Sequence, residues 1–292
     1  MNLQNIFSEI EKVDADIYDR IDTRRTAMKQ FANFTGKSAL AAMPLALGSM
    51  FKKAYGQTPT DVIGTLQFAL TLEYLEAKFY QLGVAGPGVI ANSGAAGLAA
   101  LQKIRDHEVK HVAFLRSVII ALGSTPVAEP TFDFTAGNGS NMGAFLGWEA
   151  NYDVFLAMAQ TFEDTGVRAY KGAVGTLVNN KTVLTAALNI HSVEARHASH
   201  IRQMRRERST APGAITAAYV GSIKPWINNA ESNIGAGFAP AVQPSYNGEE
   251  ITVQGPINIA TVGGVSTTAA SACFDEPLSR AAVLAIVDPF IV

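Results

Sequence analysis

The chain has 292 residues, 48% of them hydrophobic, and its 23 basic and 25 acidic side chains leave a formal net charge of −2. This composition supports a packed core and excludes the low hydrophobicity typical of disordered proteins. The near-neutral charge provides no basic surface of the kind that binds nucleic acid. A single cysteine, Cys273, excludes an internal disulfide framework and a multi-cysteine metal site, so any metal must be held by histidine and carboxylate side chains.

Residues 1–57 have the features of an export signal. Residues 23–29 (TRRTAMK) resemble the twin-arginine signal, although Ala27 stands where a bulky aromatic residue is usual. The mostly apolar stretch at 38–51 is too short to span a bilayer, and small residues precede Gln57 at the positions that signal cleavage requires. We therefore predict an exported protein, periplasmic or in the cell envelope, with no stable membrane span after signal removal. The alternative is a basic amphipathic helix that stays in the protein.

Four helices are predicted next. Their caps, prolines and glycines place them at about residues 58–82, 94–123, 141–175 and 180–208. The loop inside each pair of helices is short, which makes each pair antiparallel. Between His111 and Glu163 lie 51 residues, which leaves room for a long crossover. The predicted fold class is all-α, a four-helix bundle with a long crossover.

The chain after the bundle, residues 209–292, differs from it in composition, and residues 209–272 are rich in Gly, Pro, Ser, Thr and Ala. Short β-prone segments at 250–253 and 257–262 indicate a hairpin, and a short helix is predicted at 279–286. Because this region has few large apolar groups for a core of its own, we expect an extended C-terminal tail that wraps the bundle formed by residues 58–208.

A pattern of glutamate, tyrosine and histidine is duplicated along the four helices. In each half, a glutamate is followed seven residues later by a tyrosine, and the next helix carries a glutamate followed three residues later by a histidine. The copies are Glu73, Tyr80, Glu108 and His111, and Glu163, Tyr170, Glu194 and His197. Residues three and seven apart point to the same side of a helix. Such carboxylates interrupt apolar faces, where an isolated charge is costly unless it is paired, neutralised or bound to metal.

This set matches the ligands of a carboxylate-bridged di-metal centre in a four-helix bundle. The predicted metal ligands are Glu73, Glu108, His111, Glu163, Glu194 and His197, and the predicted cofactor is two Fe or two Mn ions. Tyr80 and Tyr170 are predicted to donate hydrogen bonds to ligand carboxylates, with plain core tyrosines as the alternative. Glu76 is a rival to Glu73 and is placed beside the centre, because the second half repeats the seven-residue spacing of Glu73. Glu149 and Asp164 are predicted to lie on the surface or in the crossover.

A weaker interpretation comes from residues 107–111. His107-Glu108-Val109-Lys110-His111 matches the zinc-protease pattern His-Glu-x-x-His, in which both histidines bind zinc and the glutamate is the base. In the second copy, however, Val193 stands at the position of His107. The duplication therefore preserves Glu-x-x-His and not the protease pattern.

Four segments together resemble the ferritin-like superfamily: TLEYLEAKFY, HEVKHVAFL, FEDTGVRAYKGAV and SVEARHASHIR. With the terminal segment CFDEPLSRAAVLAIVDPFI, they are most similar to exported ferritin-like domain proteins related to desiccation-associated proteins, over about residues 58–292. The resemblance implies the ferritin-like fold and carries the superfamily's ligand roles to the six positions above.

The expected chemistry is metal redox protection against oxidative stress, as ferroxidase, peroxidase or catalase-like activity, with metal ions and peroxide or dioxygen as partners. The alternative is a non-catalytic structural or stress-protective envelope protein on the same fold. The long tail argues against a ferritin-type shell, so a monomer or small homo-oligomer is expected.

Overall fold

A computed structural model describes residues 60–262 and 264–292 of the chain. Its first five helices are α1 (Thr60–Gly83), α2 (Pro87–Asn92), α3 (Gly94–Ala121), α4 (Tyr152–Leu177) and α5 (Lys181–Ser209). The four long helices form a bundle in which residues 122–151 are the crossover, so the predicted all-α class is confirmed. The predicted signal at 1–57 and the predicted cap at Thr58 lie outside the described residues.

The long helices pack most closely as two antiparallel pairs, α1 with α3 and α4 with α5. Gln67, near the start of α1, donates a hydrogen bond to the carbonyl of Thr125 at 2.7 Å and accepts one from the amide of Val127 at 2.8 Å. Both partners lie just beyond the end of α3, which fixes the antiparallel register. Contacts between α3 and α5 are sparse, and this side of the bundle is open.

The start of α4 corrects the sequence prediction, which placed it near Asn141. Asn141 has a left-handed backbone with φ of 54°, and its amide donates to the buried carboxylate of Asp133 at 2.9 Å. The helix begins at Tyr152 instead, where the Asn151 side chain accepts from two first-turn amides at 3.1 and 3.2 Å. Asn180 caps α5 in the predicted place by accepting from an amide at 3.0 Å.

Two apolar clusters fill the bundle on either side of its middle. In one, Phe79 of α1 stacks on Phe155 of α4, with ring centroids 4.9 Å apart. In the other, Leu70 of α1 packs with Leu115 and Ile119 of α3. Between Leu70 and Phe79, α1 contributes further apolar residues to both clusters, and Glu73 and Glu76 are buried among them.

The remaining described residues, 210–262 and 264–292, lie against the bundle in short elements. These are α6 (Ala239–Val242), β1 (Val253–Gln254), β2 (Ile257–Asn258), α7 (Thr267–Ser271) and α8 (Arg280–Val287). Single 3₁₀ turns occur at Trp148–Ala150, Thr216–Ala218, Gln243–Ser245, Ile259–Thr261 and Asp288–Phe290. The two strands pair as an antiparallel hairpin, and near the end of the chain Ile291 bridges to Phe132 of the crossover. Within residues 60–262 and 264–292, no helix has both the length and the apolar run that crossing a bilayer requires.

Buried arginines of the bundle hold this C-terminal region in place. Arg168 of α4 lies 2.7 Å from the Glu249 carboxylate, and each side chain is only 1% exposed. Arg168 also donates to the carbonyls of Asn247 and Glu276, at 2.9 and 2.7 Å. Asp164, which was predicted at the surface or in the crossover, is buried in an ion pair with Arg202, so that prediction is wrong.

Candidate metal centre

Each long helix contributes one fully buried glutamate to the middle of the bundle. The side chains of Glu73, Glu108, Glu163 and Glu194 are 0% exposed. With the two histidines, their donor atoms form two groups, each lying within 4.8 Å. One group is Glu73, Glu108, His111 and Glu194, and the other is Glu108, Glu163, Glu194 and His197. Glu108 and Glu194 belong to both groups, so their carboxylates lie between two potential ion positions.

Both histidines face the carboxylates through Nδ1. His111 Nδ1 lies 3.2 Å from Glu73 Oε2, 3.0 Å from Glu108 Oε2 and 3.3 Å from Glu194 Oε1. His197 Nδ1 lies 2.9 Å from Glu108 Oε1 and 3.3 Å from Glu163 Oε2. The structure thus brings together all six residues that the sequence pattern singled out.

The two tyrosines act across the bundle. Tyr80 of α1 donates a hydrogen bond to Glu163 Oε1 of α4 at 2.6 Å, and Tyr170 of α4 donates to Glu73 of α1. Burial and the neighbouring carboxylates raise the pKa of both tyrosines well above the usual value, so both stay protonated and can donate. The seven-residue spacing in the sequence therefore has a physical reason: the tyrosine of each half positions the carboxylate of the other half.

Several donor atoms of the cluster are buried without a hydrogen-bond partner among the described residues. They are Glu108 Oε1, Glu163 Oε2, both carboxylate oxygens of Glu194, and His197 Nδ1. His197 Nδ1 lies close to two carboxylates but forms a hydrogen bond with neither. Buried polar atoms are nearly always satisfied, and isolated buried charges are costly. When all four carboxylates are ionised they carry a charge of −4, which two divalent cations would neutralise, so the donor set fits a pair of metal ions.

In the absence of metal, the cluster retains protons. Burial raises the pKa of Glu73 to about 7 and that of Glu194 well above its ordinary value. Burial alone would lower the pKa of His197, but Glu163 and Glu108 outweigh it and raise that pKa to about 11. For Glu108, burial is outweighed by contacts with His111 and His197, which lower its pKa to about 2. The cluster is therefore a mixture of imidazolium groups, one firmly ionised carboxylate and protonated carboxyl groups.

Glu76 lies beside the centre without joining either donor group. It is 4% exposed, and burial together with the charge of Glu194 raises its pKa well above the ordinary value. A Cβ placed on Gly166 would come within 3.0 Å of Glu194 Oε2 and 3.2 Å of Glu76 Oε1. Glycine at 166 therefore leaves room for the two acids to approach the same part of α4.

His107 supports His197 rather than forming a zinc pair with His111. Its Nδ1 lies 3.0 Å from His197 Nε2, and the two rings stack with centroids 5.2 Å apart. His107 belongs to neither donor group among the described residues. The sequence interpretation considered His107 only as part of a protease pattern, because Val193 at the equivalent position gave no hint of a supporting role.

The geometry of the site agrees with a comparison against known families. A model of the ferritin-like domain matches residues 61–207. The chain belongs to the ferritin-like family. The matched region of this ferritin-like protein runs from the start of α1 almost to the end of α5, and so includes all six clustered residues. A search of curated proteins found no match, and a search of solved structures found none.

Proposed function

We propose that this ferritin-like protein holds two Fe or two Mn ions and uses them in redox chemistry that protects against peroxide or dioxygen. The observation that carries the proposal is the pair of donor groups that share Glu108 and Glu194. In ferritin-like di-metal proteins, one glutamate from each of two helices and a Glu-x-x-His pair from each of the other two supply the ligands. The buried donor atoms without partners support the same assignment.

Each residue has a distinct proposed role. Glu108 and Glu194 would contribute to holding both ions, while Glu73 with His111 and Glu163 with His197 would each complete the donor group of one ion. Tyr80 and Tyr170 fix the orientation of the two carboxylates to which they donate hydrogen bonds.

The surroundings of the centre suit this chemistry. Two redox-active metal ions would supply electron transfer with peroxide or dioxygen, as in ferroxidase, peroxidase or catalase-like activity. Burial and the charge of Glu194 raise the pKa of Glu76 well above its ordinary value, which favours a protonated carboxyl group near Gly166, beside the centre. The four glutamate side chains are fully buried, and two apolar clusters fill the bundle beside them.

Metal analysis of four proteins tests the proposal. Wild type should bind two Fe or Mn ions per chain. Glu194→Gln removes a residue shared by both donor groups and should lose both ions, whereas Glu163→Gln changes only one donor group and should lose one. Glu207→Gln is the matched control, because Glu207 is an exposed glutamate on the same helix as Glu194.

The alternatives give different results in the same experiment. A non-catalytic bundle would bind no metal in any of the four proteins. A zinc protease would hold one zinc per chain, and this zinc would survive Glu194→Gln. Peroxide consumption measured on the same samples should follow metal content. Equal metal content in wild type and Glu194→Gln would refute the di-metal assignment.

We propose further that the protein is exported, because residues 23–29 resemble a twin-arginine signal and an apolar stretch follows. Replacing Arg24 and Arg25 together by Lys should leave the precursor inside the cell. Wild type should appear outside, beginning near Gln57. Exported protein that still begins at Met1 would contradict cleavage of a signal.

A further inference from the structure

The loosely packed side of the bundle contains an open groove that reaches the candidate metal centre. It lies between α3 and α5 and has a volume of about 660 Å³. His111 lines its inner end, and its side chain is 12% exposed, whereas the four cluster glutamates are 0% exposed and His197 is 6% exposed. His111 is therefore the most exposed of the six predicted metal ligands, and its side chain borders this groove.

The groove is much larger than peroxide or dioxygen requires. A water-sized molecule occupies roughly 30 Å³ in the liquid, while sites for small organic molecules measure about 300–1,000 Å³. The groove follows α5 from Lys181 to Val193, a distance of about 18 Å at the helical rise per residue. Its shape is therefore that of a site for an elongated molecule.

The two ends of the groove differ in chemistry. Near His111 its walls are the side chains of Phe114, Ile190 and Val193, which favour an apolar chain. At the outer end, Lys181 is exposed, and no acidic side chain forms an ion pair with it within the described part of the chain. Lys181 is also the first residue of α5, where the helix N-terminus adds partial positive charge.

We propose that the α3–α5 groove binds an elongated organic anion, such as a fatty acid. Its carboxylate lies at Lys181, its chain contacts Phe114 and Ile190, and its far end approaches His111. This binding site goes beyond the proposed redox function and depends on it only for the metal-based measurement described below.

Binding to the metal-free protein tests the groove without any need for a working centre. The probe is dansyl-undecanoic acid, whose fluorescence rises in an apolar site, and dodecanoate should displace it. Across a series of unlabelled carboxylates, affinity should rise about fourfold for each added methylene until the groove is filled.

Two variants and a control locate the site. Ala186→Trp fills the groove and should weaken probe binding at least about tenfold, as expected when a bulky side chain occupies an apolar site. Lys181→Gln leaves the groove open and should weaken binding about three- to fivefold through loss of one exposed charge contact. Lys103→Gln, which changes an exposed lysine of α3 outside the groove, should bind like wild type. Circular dichroism checks that each variant is folded, and the exposed position of Lys181 keeps the test valid if Ala186→Trp does not fold.

The outcomes separate this proposal from the metal assignment. No probe binding to wild type, or equal binding by wild type and both groove variants, would overturn the organic-anion site. In protein loaded with Co²⁺, dodecanoate should also shift the visible absorption bands, because the chain end lies beside His111. A protein that binds the probe but no metal would refute the di-metal function and leave the groove site standing.

Discussion

Adding Mn²⁺ to the metal-free protein at pH 7 should release about three protons for each pair of ions bound, because metal ligands must be deprotonated. The raised pKa of His197, about 11, and the raised pKa of His111 mean that both imidazoles are protonated before metal arrives. Glu194 is also protonated, since burial raises its pKa well above the ordinary value. These three groups give one proton each, and Glu73, with a pKa of about 7, adds a fraction.

The sign and size of the pH dependence follow from this count. Groups whose pKa is raised hold more protons as the pH falls, so protons compete with the metal and affinity decreases toward acid. With about three protons exchanged, the product of the two binding constants should fall roughly a thousandfold between pH 7 and pH 6. If Glu108, with a pKa of about 2, were the only group involved, no such change would occur in this range.

Calorimetry in two buffers with different heats of ionisation measures the number of protons directly. The Glu207→Gln protein serves as the control and should release the same number as wild type. Release of fewer than one proton, or an affinity that does not change between pH 7 and pH 6, would refute the protonated cluster deduced from burial.

Three further predictions concern single side chains. Tyr80→Phe removes the hydrogen bond that orients Glu163 and should lower metal affinity about 10- to 100-fold in a competition titration with a chelator, with little change in helix content. Gly166→Val pushes a side chain between the two neighbouring carboxylates and should leave less than one tightly bound ion per chain by elemental analysis. Arg168→Met leaves Glu249 buried without its partner and should lower the free energy of unfolding in urea by about 3–5 kcal/mol, and an unchanged midpoint would contradict a tightly held tail.

The candidate site was easier to predict than the connections. Its residues lie on long helices, where spacing in the sequence fixes direction in space, so Glu73 and Tyr80 of α1 and their counterparts in α4 could be assigned to the interior from periodicity alone. The duplicated pattern then indicated which residues of the other two helices complete the site. The ends of helices could be predicted only where a residue next to the helix caps it, as Asn180 does for α5.

The crossover and the tail depend on contacts between residues far apart in sequence. The sequence around Asn141 is typical of a helix start. In the structure, however, the Asn141 amide donates a hydrogen bond to Asp133, eight residues earlier, and the helix begins after Asn151. Likewise, nothing in the sequence near Arg168 indicates that its side chain is buried. Its partners are Glu249 and carbonyl groups of the tail, which lie about 80 residues further along the chain. Such pairings leave no periodic signal. The short helix α2 was therefore not predicted, and the tail was predicted only as an extended segment with a hairpin and one short helix, without its contacts to the bundle.

The hydrogen bonds of Tyr80 and Tyr170 couple the two halves of the bundle, because each tyrosine binds a glutamate of the other half. A substitution of Tyr80 removes a hydrogen bond to Glu163 on α4, and a substitution of Tyr170 removes one to Glu73 on α1. A substitution in one half of the centre therefore also changes the position of a carboxylate in the other half. Through these hydrogen bonds, the two sequence repeats form reciprocal halves of one site rather than two independent sites.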